Sequence, residues 1–244
     1  MFIDMHTHSI RADHSVKGLF NAPPVSRPDD LPDHWLVSTG VHPWLCDKAN
    51  FARNCQNLQV AAPASCLSLD EYPDHARTTH YWLDTLARLA AKHQIDAIGE
   101  VGLDRARGGS LSAQTDLFEA QIQIAEQHKL PLVIHCVRAF PELLTLRKRF
   151  QQTPWIIHAF RGNLQIAMQL IDHNCHLSFD VMLLRSSKLQ KVARAITPKA
   201  IFLETDQSQT SIEDLYHATA TILSLDTAEL QEQIRNHFAE EFFC

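Results

Sequence analysis

The apolar residues of this chain follow two alternating patterns. Short apolar runs bounded by polar residues occur at Phe2-Ile3-Asp4-Met5-His6, Trp35-Leu36-Val37-Ser38-Thr39, Ala97-Ile98-Gly99-Glu100, Pro131-Leu132-Val133-Ile134-His135, Trp155-Ile156-Ile157-His158, Cys175-His176-Leu177-Ser178-Phe179 and Ala200-Ile201-Phe202-Leu203-Glu204. Runs of this length predict short strands buried on both faces. Between them, apolar residues recur at helical spacing. Leu83, Ala87 and Ala90 mark one face over Tyr81 to His93, and Phe118, Ile122 and Ala125 mark another over Ala113 to Lys129. Leu143, Leu146 and Phe150 follow Pro141, which suits a first helical turn. Asn163 and Ser186 are placed to cap helices carrying Ala167 and Ile171, and Leu189 and Ala193. Two further helices close the chain, one through Leu215, Ala218 and Ile222, the other from Asp226 with Glu229 three residues on.

Strand and helix alternate at about 20–35 residues per unit, the spacing of βα repeats around a parallel sheet. An open doubly wound sheet and a closed barrel both satisfy that rhythm. Arg11 to His34 holds Pro23, Pro24, Pro28 and Pro32 and reads as irregular. Gly102 to Ser110 reads as a loop, and Leu45 to Thr79 is weakly patterned, with a helix expected near Asn50–Leu58 and irregular chain near Pro63–Pro73. Seven strands are recognisable. The expected fold is α/β: a single domain over 1–244, a distorted TIM-type (β/α) barrel of seven strands with one βα unit lost near the N-terminus.

The barrel is favoured by where the reactive side chains fall. His6 and His8 follow the first strand, Glu100 ends the third, His135 the fourth and His158 the fifth, and Asp206 follows the seventh. In a βα barrel those strand ends converge on one face, where active sites are built. Neutral imidazoles with carboxylates suit one or two divalent cations, and a carboxylate can bridge two metals about 3.5–4 Å apart. His42 also follows a strand and is placed to meet substrate. Arg138 and Arg161, just after His135 and His158, are candidate phosphate contacts. Asp4 shares the first strand's face and is a candidate to orient a ligand histidine from behind.

Composition narrows this without redirecting it. The 22 basic and 28 acidic residues give a formal net charge of −6, which argues against a broad basic surface for coating nucleic acid. Fifteen histidines favour metal chemistry. Six scattered cysteines without a Cys-x-x-Cys pair read as reduced thiols. No segment is apolar enough for a signal sequence or a membrane span, so a cytoplasmic protein, monomeric and without membrane partners, is expected.

Together these segments resemble the TatD family of metal-dependent hydrolases. The resemblance runs through Phe2-Ile3-Asp4-Met5-His6-Thr7-His8, Gly40-Val41-His42-Pro43-Trp44, Ile98-Gly99-Glu100-Val101-Gly102-Leu103-Asp104, Leu130 to His135, His158-Ala159-Phe160-Arg161-Gly162 and Leu203-Glu204-Thr205-Asp206, in order. It implies a TIM-type barrel with two divalent ions (Mg, Mn or Zn). His6 and His8 would hold one ion and His135 and His158 the other, with Glu100 bridging. Asp206 would bind metal and handle the nucleophilic water, and His42 would lie near the substrate phosphate. The implied activity is hydrolysis of phosphodiesters at DNA ends, as a 3′ exonuclease, with RNA as another polymer. Two further readings use the same residues: a metallohydrolase of the amidohydrolase type acting on a small amide, lactone or phosphomonoester, and a non-catalytic metal-binding module.

Overall fold

A computed structural model describes residues 1–11, 14–23, 26–46 and 79–242. The expected helix near Asn50–Leu58, the stretch near Pro63–Pro73 and Cys55, Cys66 and Cys244 lie outside these residues. Eight parallel strands form one sheet in sequence order: β1 (Phe2–Thr7), β2 (Val16–Asn21), β3 (Leu36–Thr39), β4 (Ala97–Asp104), β5 (Leu132–Val137), β6 (Trp155–Ile157), β7 (Cys175–Phe179) and β8 (Ile201–Leu203). The sheet curls until a single parallel bridge, Thr7 to Asp206, joins its first and last edges. The helices are α1 (Thr79–Ala91), α2 (Leu111–His128), α3 (Phe140–Arg149), α4 (Leu164–Asp172), α5 (Met182–Arg185), α6 (Ser187–Ala195), α7 (Ile212–Leu223) and α8 (Thr227–Phe242). The fold is a TIM-type barrel. No helix among the described residues is long and apolar enough to cross a membrane.

The strand count is eight rather than seven. The additional strand, β2, lies in the stretch expected to be irregular. Lys17 and Gly18 interrupt its apolar run, yet Val16, Leu19 and Phe20 are buried. Gly18 is required by packing: a Cβ there would run into the Trp35 ring and come within 2.9 Å of the Asp4 carbonyl oxygen. No strand is lost from the barrel. What is short is the connection, for only eight residues separate β1 from β2, where parallel neighbours usually take a helical crossover of about a dozen residues or more.

Two other boundaries move. β4 runs on to Asp104, so Gly102 to Asp104 are strand rather than loop. On α1 the buried stripe is Trp82, Leu86 and Ala90, with Leu83 and Ala87 only half-buried. The rotation follows from Trp82, which packs with Val41, Leu45 and Leu117 in a small cluster apart from the main core. The caps at Asn163 and Ser186 form, accepting from Ile166 N at 2.9 Å and Leu189 N at 3.3 Å.

Buried polar side chains tie the outer helices to the barrel. Gln121 of α2 accepts from Val41 N at 2.7 Å and donates to Val41 O at 3.1 Å. Gln114, two turns earlier, accepts from Asp104 N at 2.7 Å and donates to the carbonyls of Asp104, Arg107 and Gly109. One helix therefore holds the chain at both His42 and Asp104. The Tyr216 hydroxyl of α7 accepts from Ile3 N and donates to Ile3 O, fixing β1. Arg147, buried on Trp155, donates to the carbonyls of Phe150, Thr153, His173 and Asn174.

Candidate functional site

Five histidines and two carboxylates meet at the C-terminal mouth of the barrel. Glu100 is at the centre. Its Oε1 lies 2.8 Å from His135 Nδ1, 2.9 Å from His158 Nε2 and 3.3 Å from His42 Nε2, and its Oε2 lies 3.8 Å from His6 Nε2. Asp206 Oδ1 lies 3.5 Å from His8 Nε2 and 3.8 Å from His6 Nε2. Three overlapping groups result, each compact enough to hold one ion: His6, His8 and Asp206; His6, Glu100 and His158; His42, Glu100 and His135. His42, expected only on the substrate side, therefore also reaches a ligand group. Exposure is graded from His6, fully buried, through Glu100 at 12% to Asp206 at 30%.

Local backbone explains the convergence. β1 and β4 each shift register against the next strand, between Asp4 and Thr7 and between Ile98 and Val101. The extra residue falls next to His6 in one strand and Glu100 in the other, as β-bulges beside sites do when they re-aim a side chain. Gly99 permits the second bulge, since a Cβ there would sit 2.6 Å from Val133 Cβ. Beyond three of the strands, Arg138, Ala159 and Asp206 adopt positive φ (55°, 42° and 50°) without being glycine. Such strain concentrates where function fixes the chain.

Second partners hold the imidazoles. His158 Nδ1 donates to Glu204 Oε1 at 3.1 Å, and the same oxygen accepts from Ala159 N at 2.8 Å. His135 Nε2 lies 3.0 Å from Asp104 Oδ2, which also accepts from Trp44 Nε1 at 2.6 Å. Neither carboxylate was singled out from the sequence, where Glu204 read as strand structure and Asp104 as loop. The available signal was that an acid inside an apolar strand must be paired to be buried. Asp4, expected behind a histidine, instead accepts from Thr205 N at 2.9 Å and Thr205 Oγ1 at 2.7 Å, with no hydrogen bond to an imidazole ring among the described residues. It thus sets the segment carrying Asp206. Arg161 is ion-paired with Asp180 and donates to its neighbour's carbonyl, Phe160 O. Arg138 is exposed at the end of β5. Among the described residues neither arginine is ion-paired with a side chain of the ligand groups.

The charges are strongly coupled. Burial opposes ionisation of Glu100, but the surrounding histidines, His158 and His42 foremost, hold its carboxyl well below the usual range. Burial also opposes protonation of His158, yet Glu100 and Glu204 outweigh it and raise that imidazole well above its ordinary value. His135 is likewise raised, by Asp104 and Glu100 against burial. His6, buried among other imidazoles, is driven well below its ordinary value. Burial pushes Asp206 up to about 7, with Glu204 and Glu100 adding to it against His158. Both ring nitrogens of His6 are buried without a hydrogen-bond partner, a costly arrangement for polar atoms in a protein interior. A neutral, orphaned imidazole facing two carboxylates fits a metal ligand.

Known proteins resemble this chain in sequence and in fold. The profile of the TatD related DNase family matches residues 28–239. An uncharacterized metal-dependent hydrolase, YabD of Bacillus subtilis, is 30% identical over 126 residues, covering 50% of this chain and 49% of its own. The 3′-5′ ssDNA/RNA exonuclease TatD of Klebsiella pneumoniae is 27% identical over 185 residues, 69% of this chain and 68% of its own. The chain thus spans about half to two thirds of the length of these relatives. In three dimensions the fold is similar to YJJV, a TatD homolog from Escherichia coli, with TM-score 0.73 at 18% identity, covering 100% of this chain and 98% of that one.

Proposed function

The chain belongs to the TatD related DNase family, and from that premise we propose that it is a divalent-metal-dependent phosphodiesterase working at the 3′ ends of single-stranded DNA, with RNA as a second polymer. The observation that carries the reading is the convergence on Glu100, with His135, His158 and His42 all within 3.3 Å of one carboxylate oxygen. His6, His8 and Asp206 would hold one cation, and His135 and His158 the other, with Glu100 between them. Two such ions (Mg, Mn or Zn) would neutralise the phosphate, make bound water more acidic and stabilise the leaving oxygen.

The chain's own residues do the rest. Asp206, 30% exposed at the mouth, is the group that takes a proton from the attacking water. Glu204 and Asp104 lock the His158 and His135 rings in place. His42 commits Nδ1 to Trp44 N at 3.2 Å, so Nε2, 3.3 Å from Glu100 Oε1, is the atom that faces the site and would address the phosphate. Arg138, exposed on the rim, is the cation that pins the next phosphate along the strand, and Arg161 presents its guanidinium from the Asp180 pair.

Chelation followed by metal replacement tests the reading. EDTA should abolish cleavage of single-stranded DNA and of a chromogenic phosphodiester, and Mg²⁺ or Mn²⁺ should restore it. An absence of phosphodiester cleavage on DNA, RNA and chromogenic substrates with every metal tried would overturn it. The 3′ polarity is checked by blocking the 3′ hydroxyl, which should protect the strand.

A further inference from the structure

Far from the mouth, a fourth group of ligand-type side chains lies among the described residues: His176, His237 and Glu241. His176 is the second residue of β7, at the opposite end of the strand from the mouth. His237 and Glu241 lie four residues apart on α8, one turn along the same helix face. That helix packs against β1 and against the turn Pro198–Ala200 that leads into β8. Glu241 Oε1 is 3.2 Å from His176 Nε2 and 3.8 Å from His237 Nε2. The two imidazole rings stand at 90° with centroids 4.4 Å apart, and Phe202 covers His237 at 4.5 Å.

Two facts set this group apart from an ordinary ion pair. His176 is 7% exposed and His237 5% exposed, and the Nε2 atom of each is buried with no hydrogen-bond partner. Both orphaned nitrogens face the same carboxylate oxygen. Ligands spread tetrahedrally around zinc, at bond lengths of about 2.0–2.1 Å, lie about 3.3 Å from one another. Glu241 and His176 are already at that spacing, Glu241 and His237 need about half an ångström of closure, and the two nitrogens need at most about 1.5 Å, since all three atoms lie within 4.8 Å of one another.

We propose that His176, His237 and Glu241 form a metal site separate from the mouth, taking one divalent transition ion of the zinc class. Two imidazoles and a carboxylate are its protein ligands, and the fourth position goes to water. The ion would fasten α8 to β7, and so tie the last helix to the floor of the barrel. Its role is to hold the fold together, because the group is enclosed on the Phe202 side and lies at the wrong end of the strands for the chemistry at Glu100.

The test counts ions in the whole chain. After equilibrium dialysis against Zn²⁺, elemental analysis should find one equivalent less in Glu241→Gln and in His176→Gln than in wild type. Circular dichroism and Mn²⁺-dependent activity should be unchanged. Glu241 is 19% exposed and glutamine nearly matches its shape, so that variant reports even where His176→Gln fails to fold. Equal zinc in wild type and Glu241→Gln would overturn the proposal and leave the trio a buried ion pair. A second measurement does not depend on activity. In a protein disabled at the mouth by His8→Ala and Glu100→Ala, which break all three ligand groups there, Co²⁺ should still give the visible band of a four-coordinate ion, and Glu241→Gln should remove it. No band in the parent would equally sink the idea. In that same mouth-disabled protein, zinc at about a hundredfold above its Kd should raise Tm by roughly 5–10 °C, and Glu241→Gln should abolish the rise.

Discussion

Glu204 offers a substitution that separates charge from shape at the candidate site. Its Oε1 accepts both hydrogen bonds, from His158 Nδ1 at 3.1 Å and Ala159 N at 2.8 Å, while its buried Oε2 has no partner. In Glu204→Gln the amide oxygen can keep both bonds and the amide nitrogen takes the unpartnered place, so chiefly the negative charge is lost. A hydrogen bond to a charged group contributes about 1.5–3 kcal/mol against about 0.5–1.5 for a neutral one. The change should therefore cost about 1–1.5 kcal/mol in holding the His158 ring as a ligand, or roughly 5–13-fold in metal affinity. Glu204→Ala removes both bonds and should approach the roughly 100-fold upper end seen when such supporting partners are deleted. The pH dependence supplies an independent sign. Glu100 and Glu204 raise His158 well above its ordinary value against burial, so a proton competes with the cation and metal loading improves as pH rises through that raised value. Without the Glu204 charge the proton is held less well, and the loading midpoint moves to lower pH even as the plateau affinity weakens. Isothermal titration with Mn²⁺ at a series of pH values measures both. If Gln and Ala are equally impaired with the midpoint unmoved, Glu204 acts by filling space and the charge argument fails.

Other perturbations probe the scaffold. Gln121→Met leaves Val41 N and O unpaired in the interior and should cost about 2–4 kcal/mol, seen as a Tm lower by roughly 4–16 °C; an unchanged Tm would show that water replaces the side chain. Arg147→Lys cannot reproduce a planar fork that serves four carbonyls and should destabilise the chain by about 3 kcal/mol or more, so a urea midpoint equal to wild type would refute that account. Burial raises Asp4 to about 7 from an ordinary 3.8, so the folded chain binds more protons than the unfolded one between those values. Stability of chelator-treated protein should accordingly fall as pH rises from about 4 to 7, and Asp4→Asn should flatten that decline. Parallel curves for the two proteins would contradict it.

The strands that present Glu100, His135, His158 and Asp206 were legible because each is a short apolar run ending in a polar residue, and burial on both faces leaves that pattern in the sequence. β2 was not, because its middle is Lys17-Gly18. The glycine that erases the apolar signal is there to admit Trp35, a contact that only the folded chain reveals. The same limit hid the supporting carboxylates. The pairing of Glu204 with His158 spans 46 residues and that of Asp104 with His135 spans 31, and nothing local marks either as a partner. Strand alternation puts Asp4 on the face of His6 and His8, but the register shift between Asp4 and Thr7 breaks that alternation. Its carboxylate consequently meets Thr205 instead of a histidine ring.

The seam where β1 meets the chain beyond β8 bears on how the molecule assembles. β1 and β2 are joined by the shortest connection between parallel neighbours among the described residues, whereas Thr205 and Thr7, hydrogen-bonded across the seam at 2.9 Å, are 198 residues apart. The entropy of closing a loop grows with its length, so the seam is the costliest closure in the barrel and the pairing that local contacts assist least. His6 and His8 lie on one side of it and Asp206 on the other. That ligand trio is therefore assembled only in a chain that has folded end to end, and a cation held there would act as a clasp between the two ends, absent from every partly folded form.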